Sequence, residues 1–527
     1  MVVAMLIKKR CFPLAVLAVV SAFSLLSGCG GSDGERSEFE FGDRFGVIYQ
    51  KGRYDDASDF QDQCAEPRVG YDETESTAFV EKMWLRSWSH EEYLWYDEIE
   101  DRDPEDFSVT GYFDVLKTYE TTNTGRAKDQ FHFWADTEEW EKLSESGVSL
   151  SYGWDLRIVD REITILRVEP NSPADEKGIA RGDKIVSIDG IAIATATGDD
   201  IDKLNAALSP RVGMKHVFKT VRPGVIETGD EKDDDKDKGI EMIAVDVTFE
   251  PVQLTRVLAA GTRNVGYLYF DAFIATAEAR LIDAFNVLKA AEVDDLVIDA
   301  RYNGGGLLGI SSQLAYMIAG KAATEGRIFQ TFKYNDKKED EPLGFIDTSV
   351  GYSVDEGEAL PSLDLPRVFV LTTADTCSAS ESLINGLQGI GIEVVIVGDT
   401  TCGKPYGFTP RDNCGTTYFT IEFQNQNAMD FGDYADGFYP ANKPDGVGAK
   451  LKGCYVEDDL SWPLGDVNEA MIAGALKYIE TGRCPRLVEP NDTESELQGF
   501  GKTTLDGGEL KLIHKNPLRS IQWIEAR

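Results

Sequence analysis

The chain has 527 residues, 42% of them hydrophobic, and carries 53 Lys+Arg against 92 Asp+Glu, a formal net charge of −39. This length predicts roughly two to four domains, and the apolar fraction excludes a globally disordered protein. So negative a charge repels phosphate backbones and argues against a nucleic-acid binder. The sequence contains four histidines, His90, His132, His216 and His514, and any histidine-dependent chemistry must draw on them.

Residues 1–28 have the layout of an export signal. Lys8, Lys9 and Arg10 precede an apolar run of about 16 residues, short for the roughly 20 that span a bilayer. The alternative interpretation is a membrane anchor helix. The segment Leu26-Ser27-Gly28-Cys29 resembles a bacterial lipobox, which implies cleavage before Cys29 and lipid on its sulfur. We therefore expect a lipid-anchored protein of the cell envelope, and we favour the outer membrane, facing the periplasm or cell surface, as its location. Residues 29–70 are expected to form a tether.

Six cysteines follow Cys29, and an exported protein can oxidise them. Six cysteines allow fifteen complete pairings, and the sequence does not choose among them. Proximity in the sequence favours Cys402–Cys414 and Cys454–Cys484. No CxxC pair or His/Cys ligand spacing is present, so we expect neither a metal nor a cofactor.

Two regions precede the largest block of the sequence. Residues 71–146 predict a helical N-terminal domain, in which Val80, Trp84 and Trp88 recur at helical intervals as a core stripe. Residues 147–255 change to strand-like alternation, and the stretch SPADEKGIARGDKIVSIDG resembles the PDZ domain of bacterial proteases. Such domains bind the C-termini of other proteins by strand addition, which implies protein or peptide partners. The loop near residues 151–154 departs from the usual Gly-apolar-Gly-Phe pattern, which puts peptide binding in doubt.

Residues 256–485 alternate strands with helices, which predicts an α/β fold with a largely parallel sheet and makes the whole protein a multidomain α/β protein. The predicted strands are 265–270, 296–300, 367–371 and 394–397, and the predicted helices are 278–291 and 307–319. Strand 296–300 is apolar without alternation, as is typical of a buried parallel strand. Residues 486–527 show little periodicity and are left unassigned as a C-terminal tail.

The first candidate site is Asp299-Ala300-Arg301-Tyr302-Asn303-Gly304-Gly305-Gly306, where a predicted buried strand gives way to a helix. Three successive glycines expose backbone N–H groups at a helix N-terminus, an arrangement that can stabilise a developing oxyanion. The alternative is a tight turn selected for its conformation alone.

The second candidate is Thr376-Cys377-Ser378-Ala379-Ser380-Glu381, which again lies between a strand and a helix. Ser378 or Ser380 could be a nucleophile, and the Ala379 N–H would then face the oxyanion. Ser378 and Glu381 also have the spacing of a capping box. The two interpretations are compatible, because a serine at a helix N-terminus benefits from the helix dipole.

A serine nucleophile needs a base. The four histidines lie far from these segments in sequence, and the Gly-x-Ser-x-Gly elbow is absent, so a histidine base is disfavoured. Lys404, in Thr400-Thr401-Cys402-Gly403-Lys404-Pro405, is the alternative. Burial can lower the pKa of a lysine from about 10.4 by several units, which lets the neutral amine accept a proton. A lysine beside a proline is otherwise a typical surface residue.

Three motifs in order, LVIDARYNGGG, TCSASESLINGLQG and VVIVGDTTCGKPYGF, resemble the C-terminal processing, or tail-specific, serine peptidases. With the PDZ-like block, the resemblance covers roughly residues 147–485, and it implies a ClpP/crotonase-like core. It implies Ser378 as nucleophile and Lys404 as base, with oxyanion N–H groups from Gly305 and Ala379 and support from Glu381. The segment EEYLWYDEI also resembles the leader domain of the bacterial lipoprotein members of this family.

The sequence departs from the family pattern at several places. A glutamine that often follows the lysine by four residues is Phe408 here, and an aspartate eleven residues after the serine is Gly389. Gln388 could partly substitute for that aspartate. Cys377 and Cys402 flank the two catalytic positions, and a disulfide between them could brace the site.

These observations lead to two hypotheses. The first is a lipid-anchored serine endopeptidase that cleaves exported or envelope proteins through a Ser378–Lys404 dyad and an acyl-enzyme. The second is a catalytically inactive, peptide-binding envelope lipoprotein, motivated by the missing glutamine and the unusual PDZ loop. An acyl-transfer enzyme on a related core is a weaker third possibility, because fold does not fix chemistry. The sequence leaves the oligomeric state and the cleavage preference open.

Overall fold

The computed structural model describes residues 46–159, 161–223, 239–486 and 521–523. The predicted signal peptide and its lipidation residue Cys29 lie outside the described residues. The protein divides into two compact units, Met1–Ile48 and Tyr49–Arg527. Within the described residues, no helix is both long and apolar enough to cross a membrane.

The N-terminal domain is helical, as predicted. It contains helices α1 (Ala78–Glu92), α2 (Val109–Phe113) and α3 (Thr137–Ser146), and short strands β1 (Gln63–Cys64), β2 (Thr74–Glu75) and β3 (Phe133–Asp136). Val80, Trp84 and Trp88 are buried in α1, which confirms the predicted core stripe. Strand β3 pairs with residues 416–419 of the catalytic core, so this domain is joined to the core by a sheet.

The next region is a small β-rich domain with its own apolar core. It contains strands β4 (Val148–Ser151), β5 (Trp154–Val159), β6 (Glu162–Val168), β7 (Lys184–Ile188), β8 (Ile191–Ala192), β9 (Lys215–Val221), β10 (Ile240–Ile243) and β11 (Val245–Thr248), and helices α4 (Pro173–Glu176) and α5 (Asp199–Leu208). The main sheet has the order β10-β9-β7-β6-β5, and β8 pairs with β7. The loop at residues 151–154 is tied to α4, because the Ala174 N–H donates to the Tyr152 carbonyl at 2.9 Å.

The core that follows consists of alternating strands and helices. Its strands are β12 (Val252–Ala260), β13 (Arg263–Phe270), β14 (Asp295–Asp299), β15 (Gly305–Leu307), β16 (Ile328–Lys333), β17 (Glu341–Gly344), β18 (Arg367–Thr372), β19 (Glu393–Gly398), β20 (Tyr406–Gly407), β21 (Arg411–Asn413), β22 (Thr416–Phe419), β23 (Phe423–Gln426), β24 (Phe438–Pro440), β25 (Ala449–Leu451), β26 (Gly453–Tyr455) and β27 (Ile521–Trp523). Its helices are α6 (Ala277–Ala290), α7 (Leu308–Ala319), α8 (Lys321–Thr324), α9 (Ala379–Gly389) and α10 (Ala470–Thr481).

The central sheet of this core has the order β12-β13-β14-β18-β19-β26. Every neighbouring pair from β13 to β26 is parallel, and β12 pairs with β13 in the antiparallel direction. The predicted α/β architecture is therefore confirmed. The predicted domain boundary between residues 255 and 256 falls inside β12, which belongs to the core sheet.

The disulfides confirm one predicted pairing and correct the other. Cys454 pairs with Cys484, as predicted, and Cys377 pairs with Cys402, the disulfide that could brace the site. Cys414 pairs with Cys64 rather than with Cys402, so the pairing predicted from proximity was wrong there. Cys64 is 350 positions from Cys414 in sequence, and only the docking of the N-terminal domain on the core brings them together. The tail, left unassigned above, contributes strand β27.

Candidate active site

The site lies at the carboxyl ends of three adjacent parallel strands. The glycine turn follows β14, the Ser378 segment follows β18, and the Lys404 segment follows β19, and these strands are neighbours in the sheet. Because the carboxyl ends of parallel strands share one edge, three segments far apart in sequence converge there. The structure thus brings together the three motifs that the sequence singled out.

Ser378 is fully buried and is the N-cap of α9, as predicted. Its backbone has φ +64° and ψ −112°, a left-handed conformation that non-glycine residues rarely adopt. Strain of this kind costs of the order of 1–3 kcal/mol and is concentrated at functional sites. The surrounding contacts therefore force Ser378 into one orientation at the start of a helix.

Glu381 supplies most of that constraint. Its carboxylate accepts a hydrogen bond from the Ser378 N–H at 2.9 Å and thereby closes the capping box. It also accepts from the Thr401 hydroxyl at 2.5 Å and from the N–H groups of Gly403 and Lys404, both at 2.8 Å. One buried side chain thus fixes the backbone of both Ser378 and Lys404, which supports the predicted supporting role of Glu381.

Lys404 is fully buried rather than on the surface. Its Nζ lies 4.4 Å from the centre of the Phe408 ring and 4.9 Å from that of Phe131. Burial lowers the pKa of Lys404 to about 7, although Asp129 and Glu381 oppose the shift. A large fraction of the amine is therefore neutral near pH 7 and able to accept a proton.

Phe408 occupies the position where the family often has a glutamine. It is fully buried, and its ring packs against Phe419 as well as against the amine. An aromatic ring cannot accept a conventional hydrogen bond from the amine, but it excludes water and offers a weak cation–π attraction. Phe408 therefore contributes an apolar wall to the amine pocket where the family often has a polar side chain.

The N-terminal domain contributes two residues that the sequence analysis missed. Phe131 lines the amine pocket, and Asp129 is buried nearby, where it accepts from the Tyr93 hydroxyl at 2.7 Å. Asp129 acts electrostatically on Lys404 and raises its pKa. Both residues lie between α2 and α3, where no motif points to catalysis, so the sequence carried no signal for them.

The glycine turn is held by Asn303. Its side chain donates to the Phe270 carbonyl at 3.1 Å, and its Oδ1 accepts the Gly305 N–H at 2.9 Å. The Gly305 N–H, predicted as an oxyanion donor, is thus engaged within its own turn in this structure. Ala379 is fully buried directly after Ser378, and its role as the other donor stays a prediction.

The remaining predicted side chains lie elsewhere. Ser380 donates to the Asn303 carbonyl at 3.1 Å, which gives it a role in holding the glycine turn against α9. Gln388 lies ten positions along α9 from Ser378, about 15 Å at the helical rise, and its supporting role stays a prediction.

The three histidines in the described residues are also engaged away from Ser378. His90 stacks on Tyr54, His132 donates to the Phe113 carbonyl and His216 bonds with Asp189.

The disulfide between Cys377 and Cys402 joins the residue before Ser378 to the lysine segment, with their Cα atoms 5.1 Å apart. A cavity of about 460 Å³ opens beside it, lined by Cys402, Phe131 and Thr401 among others. Glu381 lies close enough to both sulfurs for the three groups to suggest a metal site. Metal binding requires thiolates, however, and these sulfurs are bonded to each other.

Residues 264–422, which carry the glycine turn, Ser378 and Lys404, match the family model described as peptidase family S41. The core is a peptidase family S41 domain. Residues 164–212 match the model of a PDZ domain, so the β-rich region before it is identified as well. The S41 match begins in β13 and ends after Lys404 and β22, and it therefore includes all three site segments.

Two relatives are named for the processing of carboxyl termini. This protein is 28% identical over 270 residues to the carboxyl-terminal-processing protease of Picosynechococcus sp. (50% of this chain and 56% of that protein). It is 25% identical over 278 residues to the carboxy-terminal processing protease CtpB of Bacillus subtilis (52% of this chain and 51% of that protein). The match thus spans about half the length of these curated relatives.

The fold also resembles a solved structure, the putative S41 protease from Bacteroides fragilis. The TM-score is 0.56 at 23% sequence identity, and the match covers 75% of this chain and 96% of that one. This likeness bears on the fold alone. It agrees with the multidomain α/β architecture.

Proposed function

We propose that the protein is a serine endopeptidase with Ser378 as nucleophile and Lys404 as general base. The observation that carries the proposal is the buried amine of Lys404, whose pKa falls to about 7 within a pocket of two aromatic rings. Glu381, which holds the backbone of both residues, pre-organises the dyad.

The chemistry follows from these groups. The neutral Lys404 Nζ takes the proton from Ser378 Oγ while Oγ attacks the peptide carbonyl carbon, and the carbonyl oxygen becomes an oxyanion. The Ala379 N–H, at the positive end of α9, stabilises that oxygen, and Gly305 contributes once its N–H leaves Asn303. Collapse expels the amine, which takes the proton from the Lys404 ammonium. Water, deprotonated by Lys404, then hydrolyses the acyl-enzyme and restores Ser378.

We further propose that the substrates are exported or envelope proteins, recognised in part through C-termini, and that lipid on Cys29 anchors the enzyme at the outer membrane. Three disulfides in the described residues support an oxidising compartment. The PDZ domain supports peptide recognition, since such domains bind extended peptides by strand addition. Radiolabelled lipid precursor incorporated by the wild type but not by Cys29→Ser, with cell fractionation of both, tests the anchor. Equal labelling of both proteins would refute it.

The peptidase activity is tested by cleavage of casein and of a fluorogenic peptide. Ser378→Ala is expected to reduce cleavage to background, since no other group on α9 reaches the same position. Ser312→Ala is the matched control, because it removes a buried hydroxyl of the same core that donates to the Gly344 carbonyl, and it is expected to retain most activity. Undiminished cleavage by Ser378→Ala would refute the dyad.

A second candidate is a catalytically inactive peptide-binding lipoprotein. The burial of Ser378 and the engagement of the Gly305 N–H by Asn303 favour it. A serine-reactive fluorophosphonate probe separates the two functions. Labelling of the wild type, but not of Ser378→Ala, supports the peptidase, whereas peptide binding without labelling or turnover supports the inactive binder.

A further inference from the structure

The short strand β27 lies directly against the glycine turn of the site. Residues 521–523 pair in parallel with Gly305–Leu307, and Ile521 lies opposite Gly305. We call residues 521–523 the tail strand. The other edge of β15 is already occupied, since the Phe273 N–H donates to the Gly305 carbonyl and the Phe273 carbonyl accepts from Leu307. The tail strand therefore takes the edge of β15 opposite Phe273.

That edge lies within the catalytic site. The tail strand also lies beside β20, which begins two residues after Lys404, and α9, which begins directly after Ser378, packs on β15. The tail strand thus runs between the strand that follows the oxyanion turn and the strand that follows the base. An extended substrate presenting its carbonyl to Ser378 needs the same space.

The backbone of β15 is built for a close approach. Gly305 and Gly306 have φ values of +111° and +138°, which favour glycine. A Cβ atom on Gly306 would lie 2.3 Å from the Phe273 carbonyl oxygen. Glycine at this position therefore lets β15 pack closely against Phe273 and leaves its other edge to pair with the tail strand.

The tail sequence suits this position. Ile521, Trp523 and Ile524 are strand-forming residue types. Residues 510–527 contain four Lys/Arg and a single acidic residue, whereas the whole protein has a net charge of −39. A basic segment is attracted to so acidic a protein, which favours its return to the core.

We propose that the tail strand is an intramolecular competitor of the substrate, which occupies the edge of Gly305–Leu307 and must leave before a substrate binds. This inference rests on the proposed peptidase function, because it takes that edge as part of the substrate site. The apparent affinity for substrate is then reduced by the fraction of molecules in which the edge is vacated. The maximal rate at saturating substrate is unaffected.

The first experiment compares three proteins with one unstructured fluorogenic peptide: the full-length protein, a form ending at Ser520, and a control form ending at Trp523. The control keeps the tail strand and removes only residues 524–527. If the edge is vacated in about one molecule in ten, removal of the tail strand lowers KM about tenfold at unchanged kcat. The control is expected to keep the KM of the full-length protein, and equal KM values for all three would overturn the proposal.

The second experiment measures binding without catalysis. A fluorescent synthetic peptide of residues 515–527 is titrated into the Ser378→Ala variant, once at full length and once in the form ending at Ser520. We expect saturable binding to the shortened form, at least tenfold weaker binding to the full-length protein, and no binding of a scrambled peptide. Equal binding to both forms, or to neither, would overturn the proposal.

The two experiments separate the failure of this proposal from that of the peptidase function. Binding of the peptide only to the shortened form, with no cleavage by any of the three proteins, supports the competitor and refutes the peptidase. Cleavage with unchanged KM and no peptide binding supports the peptidase and refutes the competitor. A third case is that the protein cleaves its own tail, and mass spectrometry of the purified protein tests it. Loss of the tail by the wild type but not by Ser378→Ala would make the tail a substrate and overturn its inhibitory role.

Discussion

Two of the fully buried cations of this core, Arg301 and Lys404, have opposite surroundings. Arg301 donates to Asp299 and Glu469 through paired hydrogen bonds of 2.8–2.9 Å, and it also reaches Asp458 at 2.9 Å. The Lys404 amine lies against two aromatic rings, and Asp129 and Glu381 raise its pKa without offsetting burial. The pKa of Arg301 is raised far above its ordinary value by these carboxylates, whereas burial lowers that of Lys404 to about 7.

Burial alone therefore does not determine the role of a charged residue. Carboxylates around Arg301 keep it charged and turn it into a fixed support, whose carbonyl also accepts the Thr373 hydroxyl beside the glycine turn. Burial of Lys404 disfavours the charged form more than Asp129 and Glu381 favour it, and this leaves the amine able to act as a base. The same low dielectric thus produces a structural cation and a base.

The largest expected effect is on catalysis by Lys404→Met, which keeps the length of the side chain and removes the amine. Loss of a general base lowers kcat/KM by about 10³-fold. Methionine has no charge to desolvate, so thermal unfolding is expected to show equal or higher stability at pH 7. Retained activity in this variant would exclude Lys404 as base.

The pH dependence of stability sharpens that test. The folded pKa of Lys404 is about 7 and the unfolded value is about 10.4, so the unfolded state binds the extra proton between these pH values. Stability of the wild type relative to Lys404→Met should therefore rise from pH 7 to pH 10. Urea titrations of both proteins across this range measure it, and a flat difference would contradict the lowered pKa.

The matched substitution Arg301→Met is expected to lower the stability of the protein, whereas Lys404→Met leaves stability equal or higher. Arg301→Met leaves Asp299 and Glu469 buried without a cation, and removal of one partner of a buried ion pair costs about 3–5 kcal/mol. Chemical denaturation is expected to show that loss in the free energy of unfolding. A neutral effect would mean that the two buried cations do not differ in their dependence on carboxylate partners.

Removal of the Cys377–Cys402 disulfide tests how firmly the reactive cation must be held. The double variant Cys377→Ser/Cys402→Ser is expected to lose up to about 10²-fold in kcat, because small displacements of a catalytic pair are costly. The control Cys454→Ser/Cys484→Ser removes a disulfide of the edge strand β26 that joins neither the Ser378 nor the Lys404 segment, and its kcat should stay within about twofold while the free energy of unfolding falls by about 2–4 kcal/mol. Equal kcat in the two double variants would show that the disulfide at the site serves stability alone.

The smallest expected effect is that of Asp129→Asn. Asp129 raises the pKa of Lys404, so its neutralisation should move the acidic limb of the kcat/KM profile to lower pH. Asparagine keeps an oxygen that can accept the Phe131 N–H, which now donates to Asp129 at 3.0 Å. Asp114→Asn, an exposed carboxylate in the same domain, is the control, and an identical shift in both would indicate a general charge effect.

The sequence by itself determined the α/β core, the order of its main strands and helices, and the three segments that carry Ser378, Lys404 and the glycine turn. It did so because buried parallel strands are continuously apolar, and because glycine turns and helix caps use few residue types. The sequence also indicated that a disulfide between Cys377 and Cys402 could brace the site, since both cysteines flank those segments.

Only the tertiary structure decided which distant residues complete the site. Asp129 and Phe131 reach Lys404 because the N-terminal domain pairs β3 with β22, and Cys64 meets Cys414 through the same docking. The hydrogen bond from Gly305 to Asn303 and the tail strand against β15 likewise depend on contacts that no local pattern encodes. The lysine became a base, and the arginine a support, through the partners that folding placed around each.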